Sequence, residues 1–294
     1  MDYASVCVTK ICNISSMKNA WLKSGWGIWA ILCVIGTVLV TSHWHVLSDQ
    51  FRLIFLDVGQ GDAVLIETPE NHTVLVDGGR DERALQQLLE TRGYFARTID
   101  LLVITHPDAD HIGGLSDIFR AYNVRSVLMA GTKAPESETY QHLLRRITKE
   151  GSTVIPARAE ETVEMGTLTL DVLYPSGGTW GKDVDRQNPH SVVLRGTFQE
   201  TSFVLPGDIT AAEERKLVRS DTTLEADILK AAHHGSDSST STAFLKAVDP
   251  EMVVISAGQN NRYGHPAEEV LQRIQRQDAT IRSTKQEGNI DIVR

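Results

Sequence analysis

Between positions 105 and 114 the chain reads THPDADHIGG, which sets His106, Asp108, Asp110 and His111 within six positions. Imidazole and carboxylate are borderline-to-hard ligands suited to zinc, manganese or iron. In an H-x-D-x-D-H spacing they can feed two adjacent cations from one loop. A polar surface loop gathers one His and one Asp by chance. Four at this density, directly after the apolar run LLVI, point to a metal site at a strand end. Pro107 stiffens the turn, and the Gly113-Gly114 pair permits a close backbone approach before the next helix.

Other stretches carry chemistry too. The sequence HHGS at 233–236 follows an apolar strand, DILKAA. His233 and His234 there suggest an acid for a leaving group, or a phosphate contact. Ser236, Ser238 and Ser239 with the Gly235 backbone could form an anion-holding turn. The plainer alternatives are support for another ligand, or a cap on the following helix. In LDVGQGD (56–62), Asp57, Gln60 and Asp62 cluster around two glycines that suggest a bulge or tight turn. Asp62 either orients a ligand or caps that turn. Asp77, in LVDGG, is suited to fixing loop geometry by hydrogen bonds.

The elements that position these residues can be read from the hydrophobic pattern. Short apolar runs at 51–58, 62–68, 72–77, 100–104, 124–129 and 153–155 predict strands. Amphipathic spacing predicts helices over 82–93, 114–121 and 137–149. A second half repeats this order, with strands at 160–165, 168–174, 190–198, 201–206, 226–231 and 251–256. Its helices fall at 210–219, 240–247 and 266–277, and two last strands flank Glu287-Gly288-Asn289. This recurrence predicts two packed sheets with helices on the outside, in one domain over 51–294.

The first 50 residues differ in character. From Gly25 to Thr41 the chain carries no charge, and Trp21, Trp26 and Trp44 flank or edge that run. Its length is at the short end of a bilayer span. Lys10, Lys18 and Lys23 all precede it. These features predict a membrane anchor over 25–45, a cytoplasmic segment over 1–24 and an exocytoplasmic domain beyond. Cys7, Cys12 and Cys33 all lie in this region, so the predicted domain depends on no internal disulfide and offers no cysteine ligand. The net charge of −9 advertises no basic groove for nucleic acid.

The His/Asp loop resembles the H-x-H-x-D-H signature of the metallo-β-lactamase superfamily, with Asp108 in place of the second His. LVDGG (75–79), VLPGDI (204–209) and ISAGQNNRYGHP (255–266) resemble later motifs in the same order. FLDVGQGDAVLI (55–66) and DILKAAHHGSDSS (227–239) resemble one branch more closely, the C-terminal domain of the ComEC competence DNA-uptake proteins. The resemblance implies an α/β, four-layer αββα sandwich. It implies two divalent cations, zinc or manganese: His106 and Asp108 on one, Asp110, His111 and His265 on the other, and Asp208 between them. Two such cations lower the pKa of a water toward neutrality and neutralise charge developing on the attacked group. Asp110 then belongs to the catalytic group with His233 and His234, while Gly235, Ser236 and Asn188 would meet substrate. For the third motif, RQNPHSVVL (186–194) offers Asn188 and His190. Asp62, Asp77 and His190 stand as further ligands or supports.

The resemblance implies a hydrolase of phosphodiesters, with DNA as substrate and a competence-type membrane channel as partner. The acidic surface and the want of a Lys/Arg-rich aromatic patch fit a small substrate instead, such as a lactone, a β-lactam or a small phosphodiester. A non-catalytic protein binding DNA or a membrane partner on the same fold is the third reading.

Overall fold

The computed structural model describes residues 27–36 and 50–294, apart from 135, 178 and 260. The chain separates into two units, Met1–Asp49 and Gln50–Arg294. In the first, the described residues form one helix over 27–36. Ten residues of helix rise about 15 Å, half of the roughly 30 Å hydrocarbon core of a bilayer. Among the described residues no helix is long and apolar enough to cross a membrane. That corrects the expectation of a membrane anchor over 25–45. With it go the single-pass location, the exocytoplasmic orientation and the membrane and channel partners inferred from that anchor. Residues 1–26 and 37–49, on which parts of that expectation fall, lie outside the described residues.

The second unit is built on two seven-stranded sheets. The first contains β1 (Arg52–Phe55), β2 (Val64–Glu67), β3 (Thr73–Val76), β4 (Thr98–Ile104), β5 (Asn123–Met129) and β6 (Thr153–Pro156) in spatial sequence. The second contains β7 (Thr162–Met165), β8 (Leu168–Tyr174), β9 (Val193–Phe198), β10 (Thr201–Leu205), β11 (Ile228–Lys230), β12 (Met252–Ile255) and β13 (Thr280–Ser283). The last strand, β14 (Ile290–Val293), returns to pair antiparallel with β1. In each sheet an antiparallel half adjoins a parallel one. Strands β3 to β6 run parallel, as do β10 to β13.

Alternation explains why these strands read as continuous apolar runs, since both faces of each sheet are covered. In β4, Leu101 and Val103 point between the sheets, where they meet Phe51, Leu170 and Phe203. Leu102 and Ile104 point the other way, onto helices. Those helices are α1 (Arg83–Arg92), α2 (Ala109–Ile112), α3 (Leu115–Ala121) and α4 (Glu138–Glu150), which contribute Leu88, Ile112, Ile118 and Leu143 to that layer. The outer face of the second sheet is covered by α5 (Ala211–Arg219), α6 (Thr242–Val248) and α7 (Glu268–Gln275), through Leu217, Phe244 and Val270. A short α8 (Thr284–Glu287) separates the last two strands. The architecture is therefore the expected four-layer αββα sandwich.

The glycine pair after the His/Asp loop is explained by space. Gly113 and Gly114 have ordinary negative φ values, −59° and −79°. A Cβ on Gly113 would lie 1.9 Å from the Arg80 carbonyl oxygen, and one on Gly114 would lie 2.3 Å from that of Asp81. The loop carrying His111 is thus pressed backbone to backbone against the chain leaving β3. Gly113→Ala should lower stability by about 1–3 kcal/mol through overpacking. Thermal denaturation checks this, and an unchanged midpoint would mean that the close approach can relax.

Candidate metal centre

The parallel strands end on one side of the sandwich, and the chemistry-bearing residues leave from those ends. Strand β3 delivers Asp77, β4 delivers Thr105 and His106, β10 delivers Asp208, and β11 delivers His233 and His234. A hydrogen bond from the Val192 amide to the Thr105 carbonyl (2.9 Å) ties the two sheets together there. Asp208 is held by its own backbone. Its amide donates to Ser191 Oγ at 3.2 Å, and that hydroxyl donates to the Asn188 carbonyl at 2.9 Å.

Asp208 is buried and sits among four imidazoles. His111 Nε2 lies 3.4 Å from Oδ1. His234, His233 and His106 present Nε2 to Oδ2 at 3.4, 3.6 and 3.9 Å. His106 Nε2 is also 3.7 Å from Asp108, and His234 Nε2 is 3.7 Å from Asp110. The Nε2 atoms of His106, His111 and His234, with Asp208 Oδ1, are buried and have no hydrogen-bond partner. Buried polar atoms are almost always satisfied, so several orphans converging on one carboxylate fit a cation held in common. Candidate ligand atoms of Asp62, His111, Asp208 and His234 lie within 4.8 Å of one another, a buried cluster able to hold a metal.

Each inner imidazole is oriented from behind. His111 Nδ1 lies 2.7 Å from Asp77 Oδ2, and Asp77 is itself fixed by the Thr105 amide at 2.8 Å and hydroxyl at 2.6 Å. A carboxylate behind a histidine sets its tautomer and leaves Nε2 for a metal. For His234, Nδ1 donates to the Ser256 carbonyl at 3.2 Å, and Asp62 Oδ1 adds a close charge contact at the same distance. Behind Asp62 stands Lys230, with Nζ 2.6 Å from Oδ2.

The turn carrying the histidine pair is strained. His233 and His234 have φ of 50° and 56°, left-handed values that residues with a Cβ rarely adopt. Such conformations cost about 1–3 kcal/mol each and persist where surrounding bonds fix them. Here the His233 amide donates to the Gly207 carbonyl, and the Ser236 amide to that of His233.

The electrostatics follow from these contacts. Burial opposes ionisation of Asp208, yet His234 and His111 outweigh it and hold the carboxyl well below its usual range. Burial likewise opposes charge on His111, but Asp208 and Asp77 raise its pKa well above normal. For His234, Asp208 and Asp62 overcome burial and push the pKa up to about 9. Burial, then His111, drives His106 well down. Burial also lowers His233 and His265, and it raises Asp108 and Asp77. Asp62 is held low, because Lys230 and His234 outweigh its burial.

The sequence-derived candidates do not all converge. His106, Asp108, Asp110, His111 and Asp208 come together. Asn188 joins them, with Nδ2 3.5 Å from Asp208 Oδ2. His190 answers instead to Glu213, Lys216 and Lys182, which places it toward α5. His265 lies further out, its ring centroid 5.8 Å from that of His233, and it is His234 that reaches Asp208 and Asp110. In the serine-rich turn, Ser236 and Ser238 bond each other at 2.9 Å and Ser239 donates to the Ile209 carbonyl at 2.8 Å. Their hydroxyls are thus engaged within the fold, and Gly235 packs against Pro266. Lys230 and Thr105 went unread in the sequence, whereas Ser191 belongs to the Asn-then-Ser pattern of the third motif. Of the two unread, only Lys230 left a signal there, as a charge at the inward position two residues after Ile228 in an otherwise apolar strand.

The sequence profile of the metallo-beta-lactamase superfamily matches residues 56–258. Among curated proteins, the chain is 28% identical to ComE operon protein 3 of Bacillus subtilis, over 83% of this chain and 33% of that one. It is 31% identical to competence protein ComA of Neisseria gonorrhoeae, over 86% and 34%. The chain thus spans about a third of the length of the curated relatives it matches. The second name speaks of competence and neither speaks of a cleavage reaction, so the nuclease and DNA-uptake expectations gain nothing from them. Among solved structures, the metallo-beta-lactamase fold protein YhfI of Bacillus subtilis superposes with a TM-score of 0.54 at 12% identity, over 83% of this chain and all of that one. The diiron β-hydroxylase CmlA of Streptomyces venezuelae gives 0.55 at 18%, over 83% and 54%. These two likenesses concern the fold alone. Profile, αββα frame and buried His/Asp cluster agree: the chain belongs to the metallo-beta-lactamase superfamily, as a metal-binding hydrolase on that frame.

Proposed function

We propose that the chain hydrolyses small phosphodiesters at a centre of two divalent cations, zinc or manganese. The observation that carries this reading is the set of buried, unpartnered imidazole Nε2 atoms around Asp208. His106, Asp108 and Asp208 would hold one cation, and Asp110, His111 and His234 with Asp208 would hold the other. Cations bound there would supply Lewis acidity and a water that ionises near neutral pH.

The protein's own groups do the rest. Asp77 and Asp62 keep His111 and His234 turned with Nε2 inward. His233 and His265 are half-buried and their pKa values are lowered by burial. Each is therefore neutral near pH 7, with one N–H to donate to a substrate oxygen and one lone pair to accept a proton. The Asn188 amide, close to Asp208, is a further donor on that side. Three carboxylates, Asp108, Asp110 and Asp208, make a hard donor set that suits cations gripping phosphoryl oxygens. The net charge of −9 favours a small substrate over a long polyanion.

Turnover of bis-p-nitrophenyl phosphate by the full chain with manganese or zinc tests the reading. His111→Ala or Asp208→Ala should reduce it about 100-fold or more, the equivalent of losing several kcal/mol of charge stabilisation. Hydrolysis of nitrocefin or a lactone in its place would move the substrate class to acyl compounds. Cleavage of single-stranded DNA with no action on small diesters would favour DNA, the substrate that the family resemblance of the sequence implies. A full metal complement with no turnover of any ester would leave a binding protein.

Metal affinity should depend on pH in a defined sense. The proton on His234, held to about pH 9 by Asp208 and Asp62, must leave when a cation takes Nε2. Apparent affinity should therefore rise with pH between 6 and 8, by about tenfold per unit for each proton displaced. Isothermal titration calorimetry in buffers of different ionisation enthalpy would show the released proton. A flat affinity over that range would remove His234 from the ligand set.

A further inference from the structure

Lys230 is the last residue of β11, a central strand of the second sheet. It shares a face with Ile228, which packs between the sheets, and it is 2% exposed. Burying a lysine in such a layer costs several kcal/mol unless a counter-charge meets it. The counter-charge comes from the other sheet: Asp62, on the loop between β1 and β2, lies 2.6 Å from Nζ. The remaining near acceptor is the Ala231 carbonyl at 3.1 Å. Asp62 is also buried, and its other oxygen stands 3.2 Å from His234 Nδ1, the ring nitrogen opposite the one that faces Asp208. Its amide donates to the Asp110 carbonyl at 3.2 Å. The three side chains form a line from one sheet, through the other, to the ring that faces Asp208.

We propose that Lys230 is a positioning residue for the metal centre. It engages one oxygen of Asp62, so that this carboxylate stays behind His234 and holds the ring with Nε2 facing Asp208, rather than turning inward as a ligand itself. The inference rests on the metal reading above. An ion pair kept for stability alone would be a poor exchange for two apolar side chains. A place behind a metal-facing histidine gives the pair a function, in the way that Asp77 and Thr105 serve His111. The two supports differ in one respect: Asp77 accepts hydrogen bonds from Thr105 of its own sheet, whereas Asp62 pairs with a cation from the opposite one.

The test compares wild type, Lys230→Met and the double variant Lys230→Met/Asp62→Asn in the full chain, by calorimetric titration with zinc or manganese alone. Circular dichroism and thermal midpoints of each protein are recorded first. Lys230→Met leaves Asp62 buried without its partner, and metal affinity should fall by about 10- to 100-fold, the usual cost of losing a group behind a ligand. In the double variant the asparagine needs no counter-charge, and its oxygen can still face Nδ1. Affinity should then return to within about threefold of wild type. A folded Lys230→Met variant with unchanged or tighter metal binding overturns the inference, as does a folded double variant as weak as the single one. If Lys230→Met does not fold, the double variant decides by the same threshold. Failure of the wild type to bind either metal would instead strike the metal reading itself.

Discussion

Everything at this site depends on one buried carboxylate. Asp208 sits at the end of β10, removed from water, and a carboxylate so placed is costly unless positive charge or donors surround it. The fold meets that cost with imidazoles drawn from both sheets, His106 and His111 from the first and His233 and His234 from the second. This is why the two sheets must end together. It is also why the links between strand ends, Val192 to Thr105 and Lys230 to Asp62, cross from one sheet to the other. Misalignment of either sheet would leave Asp208 unpaired rather than merely loosen the packing.

The same constraint explains the local irregularities. Two consecutive histidines adopt left-handed conformations because a regular strand end would send their rings to opposite faces, and both rings are needed on one side. Glycines occur where the His/Asp loop is pressed against the chain leaving β3, so closely that no Cβ would fit. His111 has a carboxylate behind it and His234 a carbonyl, each of which fixes the ring's proton on Nδ1. The strain and the close approaches are local costs of aiming donors at a point, offset by two large apolar layers outside the sheets and one between them.

Much of this was legible in the sequence, for physical reasons. Strands covered on both faces read as unbroken apolar runs, and the helices between them carry a clear amphipathic stripe, so the layered architecture followed from the pattern. The loop at 105–114 was legible because its donors are adjacent in the chain. What the sequence obscured was convergence across distance. His234 and His265 are both histidines after apolar strands of the second sheet, and only the left-handed turn at 233–234 brings His234 to Asp208 while His265 stays beside His233. Asn188 and His190 are two positions apart on a single short turn, which directs one to Asp208 and the other toward α5. The uncharged run at 25–41 matched the composition of a bilayer span, and of that run only the helix over 27–36 lies among the described residues.

The central claim is that buried imidazoles from both sheets share a cation with Asp208. The most direct test is a crystal structure of the full chain grown with zinc or manganese, with anomalous scattering recorded at the metal's absorption edge. The account predicts strong anomalous density within coordination distance of Asp208 and of Nε2 of His106, His111 and His234. Density held by other residues, or none at this position with metal in excess, would contradict it.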